Sequence, residues 1–394
     1  MVEKKDIHEP DQQDGAAQIV LTRRPIDEPI KIFSRRLKKG TRRFIEYQVP
    51  SAKDDFKSWL MSFRGGIGLV GLLLVTLVPL LLNDTVYYHT FIMAMIYSIF
   101  AASWDLLCGA SGQISFGHAA YFGIGGYGCA YFIIYLGLDW FSSIFVGAIM
   151  AVLFGLLVAI PCLRFKGPYL ALGTLAFNLL LFNLFHMASL SHIFFGEYGI
   201  PVPTLSVFSF KGDIVTEFLI VLIIMLICIT SMLAIFNSRL GTIFKAIRDD
   251  ETATEAAGIN TTRYKLLAFM ISAFFAGVAG SFYVLHIGKA DYNIYSSTMS
   301  FYPIIFTLIG GIALISGSVF GAYFFAITNL VLDELFDFFA QIDFFPEIFG
   351  NLPASFVALV FSIILLILIR FTKRGIMEPT IKHSKTLWDL IIGK

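Results

Sequence analysis

The residues best suited to chemistry crowd one run, Cys108 to Ala130, which reads CGASGQISFGHAAYFGIGGYGCA. Small residues at this density let helix backbones approach closely in lipid, where packing rather than water exclusion drives association. A glycine-rich helix can also be interrupted, freeing backbone groups to face a cavity. Gln113, Ser115 and His118 add polar side chains, which in a membrane span face the protein interior or a water path. Gly112, Gln113, Ser115, Gly117, His118 and Gly125, with Asn178 on a later apolar run, are therefore candidates for lining a translocation path or packing helices. Gly109-Ala110-Ser111-Gly112 also has a Gly-x-Ser-Gly form that can carry a serine nucleophile. Such chemistry requires a histidine base from another span, and His186 and His286 are the candidates. Asp105 falls near the predicted end of its span and reads as an interfacial carboxylate. No phosphate loop and no H-E-x-x-H zinc motif occurs, so ATP binding through a Walker motif is excluded for this chain. No span carries the series of charges of a proton-driven pump.

A second candidate lies in the polar stretch from Arg239 to Lys265, between apolar runs 214–236 and 264–287. Thr252-Ala253-Thr254-Glu255 has the capping-box form, and Gly258 follows where a C-cap belongs. The pattern predicts a helix of about one and a half turns, with Ala253, Ala256 and Ala257 on a small-residue face. It fits an ordinary solvated loop, or a handle that another protein's groove grips closely.

These residues sit in an overwhelmingly apolar chain. Its 394 residues are 57% hydrophobic and 14% charged, with a mean hydropathy of +0.77. Soluble domains carry about a quarter charged residues, so the fold class is all-α: a polytopic helical membrane protein. Ten candidate spans are read, at 65–82, 88–107, 115–137, 141–162, 168–188, 214–236, 264–287, 298–315, 319–332 and 352–370. The glycine-rich third and the short ninth could be re-entrant, leaving 8–10 crossings. With residues 1–63 inside, 27 of the 29 Lys/Arg fall on the cytoplasmic side, and only Lys211 and Lys289 outside. The positive-inside rule thus places both termini in the cytoplasm. Residues 1–63 read as a basic, disordered tail, with nine Lys/Arg between Arg23 and Arg43, and no cleavable leader is expected. Residues 64–371 form the transmembrane domain, with the loop 239–265 inside it, and 372–394 a short cytoplasmic tail. The outer loops carry Glu197, Asp213, Asp333, Glu334, Asp337, Asp343 and Glu347, which suit solvation or the docking of an extracytoplasmic protein. Cys108, Cys129, Cys162 and Cys228 have no metal-ligand spacing and read as small hydrophobes.

Four segments in order resemble a known family: GASGQISFGHAAYFGIGGY (109–127), LRFKGPYLALGTLAF (163–177), AIRDDETATEAAGINTTRYKLLAFMISAFFAGVAGSFY (246–283) and GGIALISGSVFGAYF (310–324). They are similar to the larger of the two paired permease subunits of branched-chain amino acid ABC importers. The resemblance covers roughly residues 85 to 335. It implies a non-enzymatic permease subunit of the plasma (inner) membrane, moving hydrophobic amino acids inward, with urea or short amides as alternative solutes. The implied partners are a second homologous permease, two cytoplasmic ATPases, a periplasmic solute-binding protein and the lipid bilayer, with no nucleic acid. No cofactor is expected on this chain, since ATP and magnesium belong to the ATPase. The resemblance assigns ATPase coupling to Arg248, Asp249, Asp250, Glu251, Glu255, Ala256, Ala257 and Gly258. Two departures stand out: Arg248-Asp249-Asp250 where the family commonly has Arg-Glu-Asn, and Gly317-Ser318 where it commonly has Gly-Pro. An intramembrane serine protease and a passive channel are the alternatives from other classes.

Overall fold

The computed structural model describes residues 76–165, 167–187, 198–205 and 213–340, with isolated residues in 189–196 and 359–375. After a short turn α1 (Val78–Leu82), the crossings are α2 (Thr85–Asp105), α3 (His118–Leu136), α4 (Trp140–Cys162), α5 (Pro168–His186) and α6 (Ile214–Asn237). Two helices, α7 (Arg239–Asp249) and α8 (Glu251–Ala256), precede α9 (Thr261–Ile287), α10 (Ser297–Gly310) and α11 (Ile315–Ala340). Seven helices among the described residues are long and apolar enough to cross a membrane, which bears out a polytopic helical membrane protein.

Hydrogen bonding to the first turn starts many of these helices. Asp84, Asp139 and Asp213 cap α2, α4 and α6 by accepting from Val86 N, Ser142 N and Val215 N. All three acids stand at the end of the bundle opposite the loop 239–260, where they also complement the helix dipole. At the other end Asn260 caps α9, and Arg164, Arg239, Arg248, Arg263 and Lys265 collect there.

The core is built around α9, which packs most extensively on α3 and α4, with α2 against it. Glycine and alanine make those crossings close. Gly125 lies against the Gly277 backbone, Gly280 against the Phe122 carbonyl, and Gly277 against Ala148 and Ala151. Ser281 Oγ adds a 3.1 Å hydrogen bond to the Gly125 carbonyl. Around this contact Tyr121, Phe122, Phe269 and Phe282 are fully buried.

Three span readings change. The third is a continuous 19-residue helix, α3, rather than a re-entrant segment. The ninth is longer than its apolar run, because α11 begins at Ile315 and extends through Ala340. The interrupted crossing is the eighth. Beyond α9 the chain pairs Lys289–Ala290 antiparallel with Ile200–Pro201 (β2 and β1) and turns inward through a 3-10 turn, Tyr292–Tyr295. It then forms α10, whose 14 residues span about 21 Å of a hydrocarbon layer about 30 Å thick. Most of the first span, most of the tenth, and both tails lie outside the described residues.

The tight contact of α3 with α9 predicts a sharp contrast between glycines. Gly280→Val would drive a side chain into the Phe122 carbonyl and should cost about 1–3 kcal/mol or more. Gly173→Ala, whose Cβ would meet Cys162 and Phe165 at ordinary contact distance, should stay within about 0.5 kcal/mol. Thermal unfolding of the purified protein in detergent compares the two.

Candidate functional site

The glycine-rich run proves to be a break between two crossings. The last turn of α2 widens into a π turn, Leu106–Ala110, and residues 112–117 lie in no helix before α3 starts at His118. Neighbouring elements satisfy the freed backbone. Trp104 Nε1 donates to the Ser115 carbonyl at 2.7 Å, and Phe116 N donates to Thr174 Oγ1 at 3.0 Å. Gly112 has φ +71°, where a Cβ would also press on Arg248, so glycine is required on both counts.

Arg248 joins this break to the polar loop. Its Nη1 donates to the Gly109 carbonyl at 2.7 Å, and Asp249 Oδ1 accepts from Nε and Nη2 at 3.1 and 3.0 Å. The loop holds more helix than its sequence suggests. Residues 239–249 form the amphipathic α7, burying Gly241, Phe244 and Ile247, while Lys245 Nζ sits 3.9 Å over the Phe236 ring. Burial, and then the Arg248 charge, lower the Lys245 ammonium from the usual lysine range.

The cap of α8 also differs from the expected capping box. Asp250, rather than Thr252, is the N-cap, accepting from Ala253 N at 3.0 Å. Asp250 stands two residues before Thr252, and its carboxylate accepts a charge-assisted bond, stronger than a hydroxyl would accept. Glu255 instead accepts from Thr261 Oγ1 at 2.5 Å, and Glu251 accepts from Lys265 Nζ at 2.5 Å, tying α8 to the start of α9. The C-terminal reading holds. Gly258 has φ +85°, with Gly258 N donating to the Glu255 carbonyl and Ile259 N to that of Thr254, a Schellman arrangement. Ala253, Ala256, Ala257 and Gly258 remain exposed on a single short, anchored turn.

Asp105 corrects its reading as an interfacial residue. It is fully buried, and Oδ1 accepts from Ala313 N at 2.7 Å. Ala313 has φ +63°, a conformation that costs a residue with a Cβ about 1–2 kcal/mol. The carboxylate thus holds the strained turn between α10 and α11 against the end of α2. Ser318, standing where the family commonly has proline, accepts from Thr307 Oγ1 of α10 at 3.2 Å, a second tie across the same turn.

The other candidate residues are mostly buried. Gln113 donates to the Ser111 carbonyl at 3.2 Å, and His118 Nε2 lies 2.9 Å from Ser103 Oγ. Ser115 is buried beside them, Gly117 packs on the Thr174 carbonyl, and Gly125 lies in the α3–α9 contact. Asn178 donates to the Tyr295 carbonyl at 2.8 Å, holding the interrupted eighth crossing. Asn183 faces outward, so α5 has no single polar face. The nucleophile–base pair is not assembled. Ser111 Oγ donates to the Leu107 carbonyl at the loop end, whereas His186 and His286 sit at the far ends of α5 and α9. Sequence reading missed Thr174, Tyr295 and Ala313, none of which stands in a pattern that marks it, and marked Ser318 only as a departure from the family.

A bundle of apolar crossings, with one crossing interrupted and a polar turn presented beyond the membrane, defines a membrane permease scaffold. The chain belongs to the family described as the branched-chain amino acid transport system permease component, whose sequence model matches residues 86–369. It is similar to the high-affinity branched-chain amino acid transport system permease protein LivM of Escherichia coli, 28% identical over 268 residues that span 62% of each chain. The Salmonella typhimurium protein of that name matches equally. A probable branched-chain amino acid transport permease protein LivM of Methanocaldococcus jannaschii is 24% identical over 48% of this chain and 55% of its own. The match therefore spans less than two thirds of these relatives. No solved structure matches the chain.

The Asp105–Ala313 bond separates two substitutions. Asp105→Asn keeps an acceptor for Ala313 N, whereas Asp105→Ala leaves that buried amide unpaired and should cost about 1–3 kcal/mol more. Paired thermal melts of the two variants give the difference.

Proposed function

We propose that this chain is a permease subunit of an ATP-driven importer in the plasma membrane, with the loop 239–265 and both termini in the cytoplasm. The basic residues at the loop end support that orientation. The sequence has no Walker phosphate loop, and energy enters through two partner ATPases that hold ATP and magnesium, with no cofactor on this subunit. The observation that carries this reading is the exposed face of α8: Ala253, Ala256, Ala257 and Gly258 stand free on a turn anchored by Asp250, Glu251 and Glu255. A face so small and so fixed suits close insertion into a groove of an ATPase.

The solute is a branched-chain amino acid, the reading favoured by the names of the similar permeases. It crosses at the interface with a second, homologous permease after release from a periplasmic binding protein. The segments 112–117, between α2 and α3, and 288–296, before α10, supply the hinges that alternating access needs. Arg248, paired with Asp249, reaches the first break and so carries motion of the loop inward through α7. Asp213 and Glu334 belong to the outer end, where the binding protein docks. Glu197, Asp343 and Glu347 lie outside the described residues.

Ala256→Trp should lower uptake of labelled leucine about tenfold or more, the loss of a central interface contact. The variant should remain in the membrane at normal abundance while ATPase subunits no longer co-purify with it. Normal uptake with ATPases still attached would refute the docking role of α8. Labelled urea and short amides in the same assay test the alternative solutes.

A further inference from the structure

Three titratable side chains from three different crossings meet at the end of the bundle opposite the loop, outside everything assigned above. Glu217 of α6 and His286 of α9 are almost completely buried, with 3% and 4% of their side chains exposed. Glu217 Oε1 lies 2.6 Å from His286 Nδ1, and His286 Nε2 lies 3.3 Å from His89 Nδ1 of α2. His89 is exposed. The order is therefore solvent, His89, His286, Glu217: an unbroken hydrogen-bonded line from the surface to a buried carboxylate.

We propose that Glu217, His286 and His89 form a proton-binding site that takes up one proton through His89 and holds it between His286 and Glu217. The hydrogen bonding accounts for the count of one. Without the extra proton, His89 Nδ1–H donates to His286 Nε2, and His286 Nδ1–H donates to the Glu217 carboxylate. A proton arriving on His89 Nε2 lets His89 pass its Nδ1 proton to His286 Nε2. His286 becomes an imidazolium, donating through Nδ1–H to Glu217 and through Nε2–H to His89 Nδ1. Both hydrogen bonds survive with their direction reversed between the rings, and the new charge rests against a carboxylate. A second proton would set two imidazolium N–H groups facing each other and break the ring-to-ring bond.

Among the described residues, the neighbouring charged groups are engaged elsewhere. On α2, Asp84 is used at the helix cap and Tyr87 donates to Glu334 of α11 at 2.9 Å. Tyr88 lies edge-on to Phe218 of α6. On α6, Asp213 caps its own helix, and beyond α9 Lys289 pairs with Asp291 at 2.9 Å. Because the line joins α2, α6 and α9, its proton occupancy sets how firmly these three crossings are held together at this end.

The site is read directly by nitrogen-15 NMR of histidine-labelled, full-length protein in lipid nanodiscs, titrated from pH 8 to pH 4, with His89→Gln and His286→Gln used for assignment. His89 and His286 should titrate as a coupled pair in two steps about one pH unit or more apart. Glu217→Gln should lower the proton affinity of the first step about tenfold or more, and His89→Gln should leave His286 with a single step. Independent single-site curves for the two histidines in the unsubstituted protein would overturn the proposal, even if Glu217→Gln failed to fold. A first step unmoved in a folded Glu217→Gln protein would overturn it equally. None of these outcomes depends on the transport reading.

Discussion

The close approach of α9 to α3 and α4 is the constraint on which the rest of the structure depends. In lipid an apolar side chain gains nothing by leaving the acyl chains for a neighbouring helix, so the helices must hold through dense contact and a few polar bonds. Gly125, Gly277 and Gly280 supply the contact, bringing backbone against backbone with no room for a Cβ. Ser281 supplies the polar bond. With α9 held there, α2 is packed against its other side, and α10 and α11 pack in turn on α2.

That fixed centre makes interrupted backbone tolerable elsewhere. The segment 111–117 and the turn before α10 both expose peptide groups at depths where water is scarce, and each is answered from the bundle. Trp104 and Thr174 serve the first, and Asn178 the second. Backbone freed from helix is sustained in a membrane only where protein surrounds it. Each break is thus held by side chains of the crossings around it.

The loop end shows how a turn beyond the membrane is kept in register with those breaks. Arg248 bonds the carbonyl at the end of α2, Asp105 of α2 bonds the turn before α11, and Glu251 and Glu255 bond the start of α9. Displacing α8 consequently pulls on α9 through Thr261 and Lys265, and displacing α7 pulls on the break through Arg248. The alanine face of α8 makes no such bond.

Much of this was legible in the amino-acid order alone. Apolar runs located the crossings, segregated Lys/Arg grouped their ends, and Gly258 marked the end of α8, because each of these signals is local and follows from solvation or from one backbone conformation. Asp105 shows where that reading stops: burial depends on α10 and α11, some 200 residues on, so position along the span could not reveal it. The eighth crossing looked continuous because its residues are apolar throughout, and only packing against Asn178 and Tyr127 makes it turn inward at Tyr295. Ala313 carries no mark of its left-handed backbone, and the capping-box form put the cap at Thr252 rather than Asp250. Composition thus determined that this chain lives in a membrane, and which of its segments do not. Which polar groups meet was decided by tertiary structure, because partners such as Arg248 and Gly109 come together only when separate crossings pack.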